Sequence, residues 1–131
     1  MIQVKAVIGA GYGDEGKGMW TDYLVRSSEK PIVVRNNGGA QVGHTVVFED
    51  KRYIFSHLGS GTLRGAPTLF TRNTGVNPML FLKETKGRNA GLNHKVYIEQ
   101  QAQVTTPFDM LLNQCQEMSR GDGRHGSTGT G

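Results

Sequence analysis

A glycine-rich loop near the N-terminus carries the residues best suited to chemistry. Residues 11–18 are GYGDEGKG and fit the pattern G-x-x-x-x-G-K from Gly11 to Lys17. The loop follows an apolar run at residues 4–8 and precedes a segment typical of a helix. A strand, a glycine-rich turn and a helix in this order direct backbone N–H groups at a phosphate, and the lysine adds a cation. The loop therefore predicts a phosphate-binding site.

Two features distinguish this loop from a simple phosphate cradle. Gly18 stands where the motif usually has Ser or Thr, so the hydroxyl that binds Mg²⁺ in that motif is missing. Instead, the loop contains two carboxylates, Asp14 and Glu15. A carboxylate at a helix N-terminus is ionised at neutral pH, so Asp14 could bind a metal or accept a proton. The alternative is that Asp14 caps the helix, a frequent role of Asp.

Two further glycine-rich segments contain groups that could act on a phosphate. Residues 36–44 (NNGGAQVGH) end in a histidine at a loop-to-strand boundary, and their glycines allow close backbone approach to a ligand. His44 could donate a proton to a phosphate oxygen near neutral pH, although a lone loop histidine can also be incidental. Residues 125–131 (HGSTGTG) offer the hydroxyls of Ser127 and Thr128 as a second cradle; the alternative is a flexible tail.

Hydrophobic patterning predicts the elements that position these segments. We predict an α/β fold with a mainly parallel sheet, flanking helices and an antiparallel hairpin insert, in a P-loop-like nucleotide-binding architecture. The first two strands should pair in parallel across the first helix, and Glu49-Asp50-Lys51 should turn the hairpin. Helices should begin at Asn77-Pro78 and at Thr106-Pro107. The predicted strands are residues 3–8, 31–35, 45–48, 52–55, 68–71 and 95–99, and the predicted helices are residues 17–28, 78–87 and 106–121.

Composition limits the classes of protein. The 131 residues fit one domain, and the formal net charge of +4 is not concentrated in a basic stripe with aromatics, so we expect no nucleic-acid partner. No segment has the roughly 20 apolar residues of a membrane span, and the N-terminus is unlike a signal peptide. The single cysteine, Cys115, excludes an internal disulfide and is expected to be buried on the last helix. These features favour the cytoplasm, or the host cytoplasm for a viral protein.

Together these motifs resemble one family, the adenylosuccinate synthetases. Residues 13–18 are similar to its signature loop, and residues 37–47 to its block GG-x-NAGHT. Residues 57–61 resemble a histidine-leucine segment that ends in P-S-G, and residues 125–129 resemble a GTTG-type IMP phosphate loop. The similarity covers essentially the whole chain and most resembles the short archaeal and viral forms.

The resemblance implies a carbon–nitrogen ligase of purine biosynthesis. GTP phosphorylates the 6-oxygen of IMP, and L-aspartate displaces that phosphate to give adenylosuccinate. By resemblance, Asp14 would take the proton from the purine ring and bind Mg²⁺ with the carbonyl of Gly43, and His44 would be the acid in phosphoryl transfer. The residues implied for GTP phosphates are Gly13, Asp14, Glu15, Gly16, Lys17, Gly18, Gly43, His44 and Thr45, and those for IMP are Asp14, Lys17, Gln41, Val42, Gly43, His44 and Thr128.

The chain also departs from the family pattern. Gln41 and Val42 replace the usual Asn and Ala, and Thr130 stands where bacterial enzymes often have Arg. The family's guanine- and aspartate-binding segments lie in its C-terminal part and have no counterpart here. We therefore expect the N-terminal portion of a longer, homodimeric protein, which by itself binds phosphate and IMP with little or no turnover.

Three alternatives stay open. A viral-type synthetase makes 2-aminoadenylosuccinate from deoxy-GMP and ATP, but those relatives lack the loop aspartate that is present here as Asp14. A P-loop hydrolase or kinase is disfavoured by Gly18 and by the lack of a clear Walker-B Asp. The third alternative is a non-catalytic nucleotide-binding module. Such a protein has no turnover, so Asp14→Ala would have no activity to abolish.

Overall fold

The computed structural model describes residues 1–13, 15–86 and 95–123 of the chain. These ranges contain three α-helices, seven short strands and two single 3₁₀ turns. In chain order they are α1 (Lys17–Arg26), β1 (Val33–Arg35), β2 (His44–Phe48), β3 (Lys51–Phe55), a 3₁₀ turn (Thr62–Arg64), β4 (Thr68–Phe70), β5 (Gly75–Val76), α2 (Pro78–Lys86), β6 (Val96–Ile98), β7 (Gln103–Val104), α3 (Pro107–Ser119) and a 3₁₀ turn (Gly121–Gly123).

The main sheet is parallel, which confirms the predicted α/β class. Its strand order is β1-β4-β6, and both neighbouring pairs are parallel. Thr68 is central to the register, because it lies opposite Val33 on one side and Val96 on the other. Strands β5 and β7 form a second, two-stranded parallel pair. Parallel neighbours require long connections, and α2 lies in the connection between β4 and β6.

The predicted strand at residues 3–8 is wrong. Residues 1–10 have no regular structure, and the side chains of Val4 and Ile8 are 87% and 85% exposed. A strand is stabilised by hydrogen bonds to a neighbouring strand, and within the described ranges no strand pairs with this run. The predicted pairing of this segment with the strand after α1 is therefore wrong as well, since β1 pairs with β4.

Strands β2 and β3 form the predicted antiparallel hairpin, with Val46 opposite Tyr53. The chain reverses at Glu49 and Asp50, which have φ values of 49° and 60°. Positive φ at both central residues identifies a type I′ turn, whose twist matches that of the flanking strands. Val46 and Phe55 are 2% and 0% exposed, so one face of the hairpin belongs to the core.

Two apolar clusters hold these elements together. The larger joins the hairpin to the segment after it, to α2 and to β6, and the smaller joins α1 to β1. The buried members of the larger cluster are Val46, Phe55 and Leu58, with Tyr53, Leu63, Phe81 and Val96 packed against them; the smaller contains Val25, Val33 and Ala66. The hairpin that begins with His44 is thus anchored from several sides.

Two helices begin where the sequence predicts. The Asn77 side chain accepts a hydrogen bond from the Leu80 N–H at 3.2 Å at the start of α2. At the start of α3, Thr106 and Asp109 form a reciprocal capping box. The described residues leave the apolar face of α3 uncovered, so Cys115 is exposed and its predicted burial is wrong. Within the described ranges, no helix combines the length and apolar character that crossing a membrane requires.

We expect Asp50→Gly to raise the free energy of unfolding by roughly 1 kcal/mol, because glycine adopts positive φ without a Cβ clash. Urea unfolding followed by circular dichroism measures the difference. Lys51→Gly, one residue later and inside β3, is the matched control and should lower stability, since glycine weakens a strand. A loss of stability in Asp50→Gly would contradict the assigned turn.

Candidate functional site

Helix α1 begins at Lys17, and no side chain of the described residues caps its N-terminus. Its N-cap residue is Gly16, at φ 75°, and its first turn contains no acidic residue. The first N–H groups of a helix have no acceptor within the helix and carry partial positive charge, which makes this end a binding site for anions. Gly16 occupies the N-cap position, and the alternative that Asp14 caps this helix falls on a residue outside the described ranges.

The Glu15 carboxylate is the anion that the loop binds in this structure. Its Oε1 accepts hydrogen bonds from the N–H groups of Gly11 at 2.8 Å and Gly13 at 3.1 Å. Its Oε2 lies 2.6 Å from Lys17 Nζ, and this ammonium, followed by backbone N–H groups, lowers the pKa of Glu15 to about 2. Backbone donors and a lysine are also the partners of a phosphate oxygen. The loop therefore has the donor set of a phosphate site.

Gly18 is where the loop meets the second glycine-rich segment. A Cβ built on Gly18 would lie 3.1 Å from His44 Cβ and 3.3 Å from Ser60 Oγ. Such contacts are too tight for a serine or threonine unless its neighbours move, which explains why the hydroxyl of the common motif is missing. Gly18, the residue after Lys17, thus packs against His44, which is far away in sequence.

His44 is the first residue of β2 and lies opposite Phe55 in the hairpin. Its Nε2 atom is buried and has no hydrogen-bond partner among the described residues. Desolvation, followed by the charge of Arg35, lowers the pKa of His44 to about 4, while Glu84 acts in the opposite direction. The ring is therefore neutral at pH 7. A buried nitrogen without a partner is costly, and an anionic ligand would both supply a partner and favour the protonated ring.

The other predicted site residues of the second segment lie near the surface. Residues 41–43 are exposed and Thr45 is half-buried. The preceding turn is held by a hydrogen bond from the Gly75 N–H to the Gly38 carbonyl at 2.8 Å. Gly38 has a φ of 74°, which favours glycine. A ligand in solution can therefore reach residues 41–43.

Two predicted site residues, Asp14 and Thr128, lie outside the described residues, as does the glycine-rich segment 125–131. Within residues 1–13, 15–86 and 95–123, no group of three His, Cys, Asp or Glu side chains could hold a metal ion. The described side chains therefore offer no metal centre of their own.

A buried charge network behind the hairpin was missed by sequence reasoning. Glu84 on α2 accepts hydrogen bonds from three consecutive backbone N–H groups, those of Ser56 at 3.1 Å, His57 at 2.9 Å and Leu58 at 3.0 Å. Arg35, at the end of β1, donates to the carbonyl oxygens of Ser56 and His57. The only sequence signal for this network was Arg35, a cationic residue at the end of a predicted strand.

The ring of His57 lies beside this network. Its Nε2 accepts a hydrogen bond from the Asn77 N–H at 3.1 Å, so in the neutral ring the proton belongs on Nδ1. His57 Nδ1 lies 3.4 Å from Glu84 Oε2, and the two side chains are only 1% and 7% exposed. This histidine is therefore a structural group of the core rather than a ligand-facing one.

Comparisons with a family model and with individual relatives point to the same family. A family model described as adenylosuccinate synthetase matches residues 6–131. The chain is 34% identical to the adenylosuccinate synthetase of Borrelia turicatae over 131 residues, which are 99% of this chain and 30% of that protein. It is 40% identical to that of Synechocystis sp. over 135 residues, with 100% of this chain and 30% of that protein covered.

A solved structure agrees with these sequence relatives. The structure of fully ligated adenylosuccinate synthetase from Plasmodium falciparum matches with a TM-score of 0.77 and 27% identity. The match covers 88% of this chain and 27% of that chain. The present chain thus spans about 30% of the length of the curated relatives described here.

We expect the His44 ring to titrate with a midpoint near pH 4 instead of 6.5, because burial and Arg35 disfavour its charged form. The unfolded chain then binds the additional proton, so the folded state should lose stability as the pH falls from 6.5 to 4. NMR titration of the histidine ring signals, assigned with His44→Gln, gives the midpoint. His44→Gln should lose less stability than the wild type across this window. A midpoint near 6.5 would contradict the buried environment.

Proposed function

The chain belongs to the adenylosuccinate synthetase family, and from this premise we propose that it provides the part of the synthetase site that binds IMP and the phosphates of GTP. The close approach at Gly18 carries the proposal, because it sets the N-terminal turn of α1, which begins with Lys17, against His44. Phosphoryl transfer depends on positioned donors and cations that stabilise the charge of the transferred group.

The proposed reaction is the GTP-dependent ligation of L-aspartate to IMP. The γ-phosphate of GTP is transferred to the 6-oxygen of IMP, and the amino group of aspartate then displaces that phosphate to form the new carbon–nitrogen bond. The products are adenylosuccinate, GDP and inorganic phosphate. In this proposal Lys17, residues 13–18 and residues 43–45 bind phosphate oxygens, and Gln41, Val42 and Thr128 contact IMP.

Phosphate binding is proposed to change the state of two side chains. A phosphate that uses the N–H groups of Gly11 and Gly13 and the ammonium of Lys17 must displace the Glu15 carboxylate, because the same donors bind it in the free chain. The additional negative charge near His44 would raise the pKa of its ring from about 4 towards neutral pH. Ligand binding itself would then prepare His44 as the acid.

The candidate metal ligands fit Mg²⁺ by their chemistry. The Asp14 carboxylate and the Gly43 backbone carbonyl are hard oxygen donors, and Mg²⁺ commonly takes few protein ligands and completes its shell with phosphate oxygens and water. Gly43 is exposed and so is accessible to such an ion. When bound, the ion would neutralise phosphate charge. Asp14 is also proposed as the base that removes the purine proton. For the intact protein, the family resemblance supports a cytoplasmic homodimer.

We expect Lys17→Gln to weaken the binding of GTP and IMP by about 10-fold or more, since it removes a charge-assisted hydrogen bond to phosphate. Isothermal titration calorimetry with each nucleotide, in the presence of Mg²⁺, measures the change. Lys30→Gln, the same substitution at an exposed lysine, is the control and should leave both affinities unchanged. Equal affinities in wild type and Lys17→Gln would refute the loop as the phosphate site.

The reaction and the substrate are tested on the intact protein. We expect Asp14→Ala to abolish adenylosuccinate formation, followed by ultraviolet absorbance, while IMP binding falls only severalfold. A parallel comparison of substrates should show a preference for IMP over deoxy-GMP. A clear preference for deoxy-GMP would favour the viral-type reaction, and an absence of turnover in the wild type would favour a nucleotide-binding module.

A further inference from the structure

We propose that Glu84 is a positioning residue for His44, because it fixes the backbone of residues 56–58 that supports the imidazole. The inference rests on the function proposed for His44 above. Its contribution would be indirect, since Glu84 lies on α2, and its carboxylate binds the backbone N–H groups of residues 56–58.

The first step concerns the hydrogen bonds that the Glu84 carboxylate accepts. Both oxygens of Glu84 accept backbone hydrogen bonds, Oε2 from Ser56 and His57 and Oε1 from Leu58. Desolvation raises the pKa of Glu84, but the nearby His57 side chain and the hydrogen bonds from the three N–H groups outweigh it and the net pKa is lowered. The group is therefore an anion that holds three consecutive amides in one orientation.

The second step is the cation on the other side of the same backbone. The guanidinium of Arg35 donates to the carbonyl oxygens of Ser56 and His57. The peptide groups of this segment are therefore held by an anionic carboxylate and by a cationic guanidinium. The two charged side chains come from different elements, α2 and β1. A shift of residues 56–58 would break several hydrogen bonds at once, which makes the segment rigid.

The third step connects this segment to His44. Phe55 lies opposite His44 in the hairpin, so residues 56–58 leave β3 directly beside the imidazole. The backbone of Leu58 acts to raise the pKa of the His44 ring and so favours its protonated form. Two residues later, Ser60 borders the site where Gly18 packs. The segment held by Glu84 thus forms one wall of the proposed phosphate site.

A purely structural role predicts different behaviour from a positioning role. If Glu84 only stabilises the fold, its replacement lowers stability and acts independently of His44. If it positions His44, its effect on ligand binding must depend on the presence of that ring. Double-mutant cycles separate these cases, because independent effects add and coupled effects do not.

The experiment measures IMP affinity by calorimetry for the wild type, Glu84→Gln, His44→Gln and the double variant, each at a temperature where it is folded. We expect Glu84→Gln to weaken IMP binding about 5-fold in the wild-type background and less than about 2-fold in the His44→Gln background. Glu99→Gln is the matched control, because Glu99 also accepts a backbone N–H, that of Arg72 at 2.7 Å, but has no place in the proposed site.

A second measurement needs no ligand. The His44 ring signals in ¹⁵N NMR spectra at pH 7.5 should shift in Glu84→Gln and stay in place in Glu99→Gln. Should Glu84→Gln fail to fold, Glu84→Asp keeps the charge but is too short to reach all three N–H groups, and the same two measurements apply to it.

The outcomes distinguish the role inferred for Glu84 from the role proposed for His44. If His44→Gln weakens IMP binding but the effect of Glu84→Gln adds to it in full, and the ring signals do not move, the positioning role is overturned while the proposed function stands. If His44→Gln binds IMP as tightly as the wild type, the proposed role of His44 fails, and the role inferred for Glu84 falls with it.

Discussion

The contact between helix α1 and strand β2 at Gly18 is the constraint on which the candidate site depends. With His44 Cβ and Ser60 Oγ only 3.1 and 3.3 Å from a Cβ at this position, a side chain here would require its neighbours to shift, whereas glycine lets the helix start this close to the strand. The same contact removes the hydroxyl that binds Mg²⁺ in common phosphate-binding loops. In the proposed reaction a metal would therefore need other oxygen ligands, and the loop carboxylate Asp14 is the one proposed here.

The carboxylates of Glu15 and Glu84 each bind more than one backbone N–H group, and their environments suit opposite purposes. Glu15 is exposed, so water can solvate it when a ligand takes its place on Gly11 and Gly13. Glu84 has a side chain only 7% exposed, and losing it would leave three backbone donors without their partner. The first interaction can exchange with a phosphate, whereas the second holds its segment in place.

Local chemistry was predictable where a few neighbouring residues decide the conformation. Asn77 and the pair Thr106 and Asp109 mark helix starts, because their side chains satisfy N–H groups in the first turn.

The burial of apolar residues was predicted less well. The apolar run at residues 3–8 and Cys115 on α3 have the composition of buried segments, but the described structure leaves them exposed. Apolar character shows that a residue can be buried; what covers it depends on other parts of the fold.

The sequence by itself determined the glycine-rich loop motif, the antiparallel hairpin, the α/β class and the family, since each depends on the order of residues along the chain. Only the tertiary structure decided that Gly18 touches His44 and that Glu84 and Arg35 hold residues 56–58. These interactions join atoms that meet only after the chain has folded. No local pattern of residue types specifies which distant donor and acceptor will meet, because packing of the intervening elements sets their distance.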